Sequence, residues 1–140
     1  MKSILLVDDS KFQRMANERV LARSGYKIVT ASDGENALLI AHDRIPDLIL
    51  LDMMLPKLGG LEVLRALKQD PVTASIPVIV LSGLAQINEA RLMQEGATAY
   101  FEKAKLENAD VLIDLVKRLL DGGLPQSNAA AQQRGTAGIL

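Results

Sequence analysis

Short apolar runs alternate along this chain with longer stretches in which apolar residues recur at the three- and four-residue spacing of a helix. The short runs are rich in Val, Ile and Leu, which is typical of strands covered on both faces of a parallel sheet. They predict five strands, at Ser3–Val7, Lys27–Ala31, Asp47–Leu51, Pro77–Leu81 and Thr98–Phe101. The strict alternation of strand and helix predicts a doubly wound α/β domain, a parallel sheet with helices on both faces.

The five intervening stretches predict helices whose ends are marked by capping residues, glycines and prolines. Ser10 can cap the first helix, Gly25 ends it, and the second helix ends before Pro46. The expected inner faces are Phe12, Met15, Ala16 and Val20; Ala37, Leu38 and Ala41; Val63, Leu64 and Leu67; Ile87, Ala90 and Met93 within 85–95; and Leu112, Leu115, Val116 and Leu119 within 106–120.

The composition bounds the class of protein. Residues 122–140 are rich in Gly, Ala and Gln and predict a flexible C-terminal tail after a folded domain of residues 1–121. A net charge of −1 gives no electrostatic reason to expect nucleic acid, and the absence of cysteine removes disulfides and thiolate sites. No apolar run approaches the roughly 18 residues of a membrane span, and the first strand begins at once, so we expect a cytoplasmic protein.

Four of the predicted strands end in polar residues suited to metal or phosphate chemistry. Asp8 and Asp9 follow the first strand, Asp52 the third, Ser82 the fourth, and Lys103 comes just after the fifth. Parallel sheets place their sites at the carboxyl ends of their strands, and the order 2-1-3-4-5 is one of the two common arrangements. That order makes the first and third strands neighbours, so the three carboxylates are expected to lie close together.

Carboxylate oxygens without nearby histidine or cysteine suit a hard divalent ion, and Mg²⁺ is the usual choice beside phosphate. Lys103 would supply a second cation, and Ser82 a hydroxyl that can donate to an anion. A carboxylate between such groups is set up to attack phosphorus and form an aspartyl phosphate. Asp52 is the best nucleophile because it stands alone after a covered strand, whereas the adjacent Asp8 and Asp9 are better placed to hold the ion.

Taken together, these residues resemble the receiver domain of bacterial two-component response regulators. The resemblance covers about residues 2–120 and implies a flavodoxin-like, three-layer (βα)5 sandwich with a parallel five-stranded sheet of order 2-1-3-4-5. The segments that carry it are Val7-Asp8-Asp9-Ser10, Asp33-Gly34, Leu51-Asp52-Met53-Met54-Leu55-Pro56, Leu81-Ser82-Gly83, Gly96-Ala97, Tyr100 and Lys103.

The resemblance implies a phospho-acceptor and its metal site. Asp52 would accept a phosphoryl group from the phosphohistidine of a sensor histidine kinase. Asp9, Asp52 and the backbone carbonyl of Met54 would bind Mg²⁺ directly, and Asp8 would reach the ion through water.

It also implies a switch. Lys103 would pair with the phosphoryl group, Ser82 would move toward it, and Tyr100 would turn inward, changing the surface of the fourth helix, fifth strand and fifth helix. The implied partners are the kinase and either a downstream effector protein or a histidine phosphotransfer protein. We expect no direct contact with nucleic acid or membrane, a monomer or a phosphorylation-dependent dimer, and no turnover of an external substrate.

Three departures from the family pattern have consequences. Ala104 follows Lys103 where the family usually has a cis-proline; a non-proline cis bond costs roughly 3 kcal/mol, so we predict a trans bond. Gly59 replaces the usual Asp or Asn ahead of the third helix. Met54 and Leu84 are apolar at positions that influence hydrolysis in the family, which predicts a slowly decaying phosphoprotein.

Three other functions compete with this interpretation. A haloacid-dehalogenase-like phosphatase needs a second Asp two residues after the nucleophile, where this chain has Met54. A flavin-binding module needs a Gly-, Ser- or Thr-rich loop after the first strand, where this chain has two acids. A degenerate receiver, acting only as an interaction surface, is disfavoured by the full set of site residues. His42, on the second helix, is expected to be a surface residue.

Overall fold

The structure is a computed structural model that describes residues 1–82, 89–102 and 109–121. Strands and helices alternate along the described chain, as the apolar pattern predicts. Their bounds are β1 Ser3–Val7, α1 Lys11–Arg23, β2 Lys27–Ala31, α2 Gly34–Arg44, β3 Leu48–Asp52, α3 Gly60–Gln69, β4 Val78–Ser82, α4 Glu89–Gln94, β5 Ala99–Glu102 and α5 Ala109–Leu120.

The strands form one parallel sheet in the order β2-β1-β3-β4-β5, which confirms the predicted topology. β3 pairs on both sides and is buried along its whole length. It begins and ends one residue later than predicted, so Asp52 belongs to the strand and Asp47 does not. The Asp47 carboxylate instead accepts the backbone N–H of Ser3 at 2.8 Å, at the opposite end of the sheet.

The pleat of the sheet divides the core into two layers. Along β1, Leu5 and Val7 belong to the layer that packs under α2, α3 and α4, whereas Ile4 and Leu6 belong to the layer under α1 and α5. The buried helix residues of the two layers include Ala37, Ala41, Val63, Leu64, Leu67 and Leu92 on one side and Leu21, Leu112 and Val116 on the other. The predicted inner faces of α2, α3 and α5 are therefore confirmed.

Most of the predicted inner face of α1 is wrong, because Val20 is its one residue that the structure half-buries. Phe12 is 87% exposed, Met15 is 48% exposed and Ala16 is also exposed, whereas Leu21 is fully buried. The side of the helix turned toward the sheet carries half-buried polar residues above Leu21, namely Arg14, Asn17 and Glu18. Because polar residues occupy this inner side, the apolar pattern misidentifies the face.

The predicted face of α4 is wrong as well. Ala90 and Met93 are exposed, and Leu92 packs into the core instead. Ile87 lies outside the described residues, as do the predicted beginnings of the fourth and fifth helices and the predicted tail 122–140. No helix within the described part of the chain is both long enough and apolar enough for a membrane crossing.

Two basic residues of α3 tie this helix to the elements that follow it. Arg65 forms an ion pair with Glu95, just beyond the C-terminal end of α4. One turn later, the Lys68 ammonium donates to the backbone carbonyls of Ala74 at 3.0 Å and Ile76 at 2.8 Å. Burial lowers the pKa of Lys68. The end of α4 is thereby attached to α3 as well as to the sheet.

Candidate functional site

Three carboxylates meet at the carboxyl edge of the sheet. Asp8 directly follows β1, Asp9 is the next residue, and Asp52 is the last residue of β3. One oxygen from each carboxylate lies within 4.8 Å of the other two. The side chains of Asp8 and Asp52 are buried and that of Asp9 is exposed. The adjacency of β1 and β3 thus brings together the acids that the sequence placed there.

The turn after β1 is fixed by three hydrogen bonds to Asp8. Its backbone N–H donates to the Ala31 carbonyl at 3.1 Å, and its carboxylate Oδ1 accepts the Ser10 N–H at 2.9 Å. Its backbone carbonyl accepts a hydrogen bond from Nη1 of Arg14 at 2.8 Å. Ser10 also caps α1, because its hydroxyl accepts the N–H of Gln13.

Sequence reasoning did not identify Arg14 as part of this region. The signal that could have found it is its spacing from Leu21. Residues seven positions apart lie on the same side of a helix, so a buried Leu21 puts Arg14 on the inner side of α1, near the helix N-terminus.

The loop after β3 holds the Asp52 carboxylate. Its Oδ1 accepts the backbone N–H of Met54 at 3.0 Å. The neighbouring Met53 N–H donates to the Leu81 carbonyl at 2.9 Å, and its own carbonyl accepts the Gly60 N–H at 3.2 Å. The side chain of Met54 is 60% exposed. The loop therefore fixes the backbone on which Asp52 and Met54 lie.

Ser82 and Tyr100 occupy different depths of the sheet. Ser82 is buried at the end of β4, one residue beyond the Leu81 that pairs with Asp52, so it lies at the edge that carries the acids. Tyr100 pairs with Val80 in the middle of β5 and packs, half-buried, against the layer under α3 and α4. The predicted positions of both residues in the sheet agree with the structure.

Lys103 lies outside the described residues, as do Ala104 and Leu84. The predicted phosphoryl contact of Lys103, the trans bond between Lys103 and Ala104, and the influence of Leu84 on hydrolysis remain predictions.

His42 is an exposed residue of α2, as expected. Its Nδ1 lies 2.8 Å from a carboxylate oxygen of Asp70, in the segment after α3. This hydrogen bond raises the pKa of His42 and lowers that of Asp70. Within the described residues, the group that could hold a metal contains Asp8, Asp9 and Asp52 and no histidine.

The donor set at the sheet edge fits a hard divalent cation. Three carboxylates so close together repel one another, and the burial of Asp8 and Asp52 adds to the cost unless a cation lies between them. Oxygen ligands without nitrogen or sulfur are typical of Mg²⁺ and Ca²⁺ sites. The arrangement can also present one carboxylate, Asp52, to an electrophile at the edge of the sheet.

Comparison with known proteins agrees with this geometry. Residues 4–117 match the response regulator receiver domain family. A gliding motility regulatory protein of Myxococcus xanthus is 39% identical over 117 residues, 83% of this chain, which spans 15% of that protein's length. The polar-differentiation response regulator DivK of Brucella anthropi is 37% identical over 103 residues, 73% of this chain and 84% of DivK. The Francisella response regulator 1452 receiver domain superposes with a TM-score of 0.80 at 28% identity, covering 87% of this chain and 98% of that one.

Proposed function

Because the chain belongs to the response regulator receiver domain family, we propose that it is a phospho-accepting switch in which Asp52 receives a phosphoryl group from a sensor histidine kinase. The observation that carries the proposal is the position of Asp52, buried at the end of β3 with Asp8 and Asp9 within 4.8 Å. A carboxylate in that position needs a cation, and with one it becomes a nucleophile for phosphorus.

The proposed reaction is a displacement at phosphorus. A carboxylate oxygen of Asp52 forms a bond to phosphorus while the bond from phosphorus to the histidine nitrogen breaks, and the imidazole leaves with its electron pair. The hydrogen bond from the Met54 N–H holds the carboxylate in one orientation for the attack. Asp9, Asp52 and the Met54 carbonyl would hold Mg²⁺ directly, and Asp8 would hold it through water. Bound Mg²⁺ supplies charge that stabilises the phosphoryl oxygens.

The acyl phosphate would then act as a new dianion at the sheet edge. Ser82, buried at the end of β4 beside Asp52, is placed to donate its hydroxyl to a phosphoryl oxygen. We assign Lys103 as the cation that pairs with the phosphoryl group. Tyr100, half-buried in β5, is the group expected to move inward and change the surface formed by α4, β5 and α5.

The partners follow from this role. The kinase supplies the phosphoryl group, and the changed surface binds a downstream effector protein; onward transfer to a histidine phosphotransfer protein is the second output. The protein would act in the cytoplasm, catalyse its own phosphorylation and dephosphorylation, and turn over no external substrate. Affinity capture with the beryllofluoride-treated and untreated protein separates the two outputs by identifying what binds.

Small phosphoryl donors test the central step directly. The full chain is incubated with acetyl phosphate and Mg²⁺, and its intact mass is measured. We expect the wild type to gain the mass of one phosphoryl group. The gain should not occur when EDTA replaces Mg²⁺, and it should not occur in the Asp52→Asn variant. Asp47→Asn is the matched control. Asp47 lies at the opposite end of the sheet, where its carboxylate accepts the Ser3 N–H, so this substitution should leave phosphorylation unchanged. A wild-type protein that stays unmodified, or an Asp52→Asn variant modified equally well, would show that the assignment is wrong.

A further inference from the structure

Arg14 occupies a position that helix stability does not explain. Its Cα lies in the first turns of α1, close to the capping residue Ser10, where the partial positive charge of the helix dipole disfavours a cation. Arg14 also lies on the inner, sheet-facing side of α1, whereas Phe12 and Met15 lie on its exposed side. A half-buried guanidinium in such a place needs a specific partner.

That partner is the backbone carbonyl of Asp8, which accepts a hydrogen bond from Nη1 at 2.8 Å. The Asp8 carbonyl and the Asp9 N–H belong to the same planar peptide unit. A hydrogen bond that fixes the carbonyl oxygen therefore fixes the orientation of the peptide plane that leads into Asp9. Asp8 itself is already held by the Ala31 carbonyl and the Ser10 N–H. Asp9 is the exposed member of the three acids, and its backbone is held through this peptide plane.

The guanidinium of Arg14 is bound to the peptide that joins Asp8 to Asp9, on the inner side of α1 where water is partly excluded. Hydrogen bonds that orient ligands from behind commonly set metal affinity, and their loss costs roughly 10- to 100-fold.

We propose that Arg14 is a positioning residue for the cation site: by clamping the peptide between Asp8 and Asp9 it holds the Asp9 carboxylate in the direction required for a divalent cation. This inference rests on the proposed function, because the proposed ligand set includes Asp9. Its effect is on affinity for the ion and not on the phosphoryl step itself, since Arg14 contacts the peptide and not the acceptor.

The experiment compares Arg14→Met, Arg14→Lys and the wild-type full chain, with Arg19→Met as the matched control on an exposed position of the same helix. The Mg²⁺ dissociation constant is measured by calorimetry, and the acetyl phosphate rate is measured against Mg²⁺ concentration. For Arg14→Met we expect a dissociation constant and a half-saturating Mg²⁺ concentration each raised roughly tenfold, with a maximal rate within about twofold of wild type. Arg14→Lys, which keeps the charge and one donor, should recover part of the affinity, and Arg19→Met should match the wild type.

Two results would overturn the inference. One is an Arg14→Met affinity for Mg²⁺ equal to that of the wild type; the other is a lower maximal rate with unchanged Mg²⁺ dependence. Thermal unfolding in EDTA shows whether each variant is folded. If Arg14→Met is unfolded, the comparison rests on Arg14→Lys. An Arg14→Lys affinity for Mg²⁺ equal to that of the wild type then overturns the inference, and a weaker affinity supports it. A wild type that binds Mg²⁺ but is never phosphorylated contradicts the proposed function alone, because the calorimetric comparison still decides the role of Arg14.

Discussion

Gly60, the first residue of α3, packs against the backbone that carries Asp52, the proposed phospho-acceptor. A Cβ added there would lie 2.6 Å from the Met53 Cα and 2.7 Å from the Asp52 carbonyl oxygen. These are backbone atoms of the end of β3 and its loop, so no side chain can rotate away. Restoring ordinary contact distances requires a shift of roughly half an ångström or more in a close-packed region. Gly60→Ala is therefore an overpacking substitution at the site itself.

Two effects of opposite sign compete in Gly60→Ala. Helix propensity alone favours alanine by about 1 kcal/mol. Overpacking against a fixed backbone typically costs about 1–3 kcal/mol. Because the clash is with backbone on two successive residues, we expect a steric cost in the upper part of that range, about 2–3 kcal/mol, which leaves a net loss of about 1–2 kcal/mol and a melting temperature lower by about 5 °C. The displaced Asp52 backbone should also slow phosphorylation by acetyl phosphate about tenfold.

The neighbouring glycine provides the control. A Cβ at Gly59 would meet only the flexible end of Glu62, at 3.3 Å. Gly59→Ser places a preferred capping residue ahead of α3, so the free energy of unfolding should change by no more than a few tenths of a kcal/mol. Urea unfolding followed by circular dichroism measures both variants. A Gly60→Ala protein as stable as the wild type, or more so, would refute the steric reasoning.

Three further predictions concern surface residues. Asp70 raises the pKa of His42, so the stabilisation from His42 is present below its unfolded pKa and is lost as pH rises through its folded pKa. His42 lowers the pKa of Asp70, so the stabilisation from Asp70 is lost as pH falls through its folded pKa. His42→Gln should therefore lower the melting temperature more near pH 5.5 than near pH 9, and an equal loss at both values would contradict this. Ile45 is the residue that caps the C-terminal end of α2, and it has a left-handed φ of 46° and is 55% exposed. Asparagine adopts this conformation more readily than isoleucine, so Ile45→Asn should raise the free energy of unfolding by about 1 kcal/mol in a urea titration. A decrease would count against left-handed strain at this position. Met54 cannot orient an attacking water, so the phosphorylated wild type should decay slowly and Met54→Asn faster, as followed by intact mass; a wild-type half-life of only seconds would rule this out.

The central strands β1, β3 and β4 were predictable because each is an apolar run that the sheet buries, whereas the edge strands β2 and β5 are only partly buried. The error of one residue at β3 has a physical reason. The run from Leu48 to Leu51 is flanked by an acid on each side, and an apolar pattern cannot tell which acid continues the strand. Pairing with β4 decides it, since Asp52 pairs with Leu81 while Asp47 binds the Ser3 N–H at the other end.

The helix faces were less predictable where packing is sparse. On α1 the single fully buried residue is Leu21, so Phe12 and Met15 at helical spacing suggested a face that the structure leaves exposed. The three acids could be anticipated, because strand order alone places them at one edge. The contact of Arg14 with the Asp8 carbonyl could not, because the spacing from Leu21 places Arg14 on the inner side of α1 but does not say which group its guanidinium meets.

The attachment of α4 to α3 limits how the surface of α4 can be remodelled. The ion pair between Arg65 and Glu95 pins the C-terminal end of this short helix, and Lys68 braces the segment leading into β4. A rearrangement that keeps the ion pair holds the Glu95 end of α4 near α3. Displacement should therefore grow toward the N-terminal end of the helix, a gradient that amide chemical shifts of the beryllofluoride-treated protein would reveal and that Glu95→Gln should flatten.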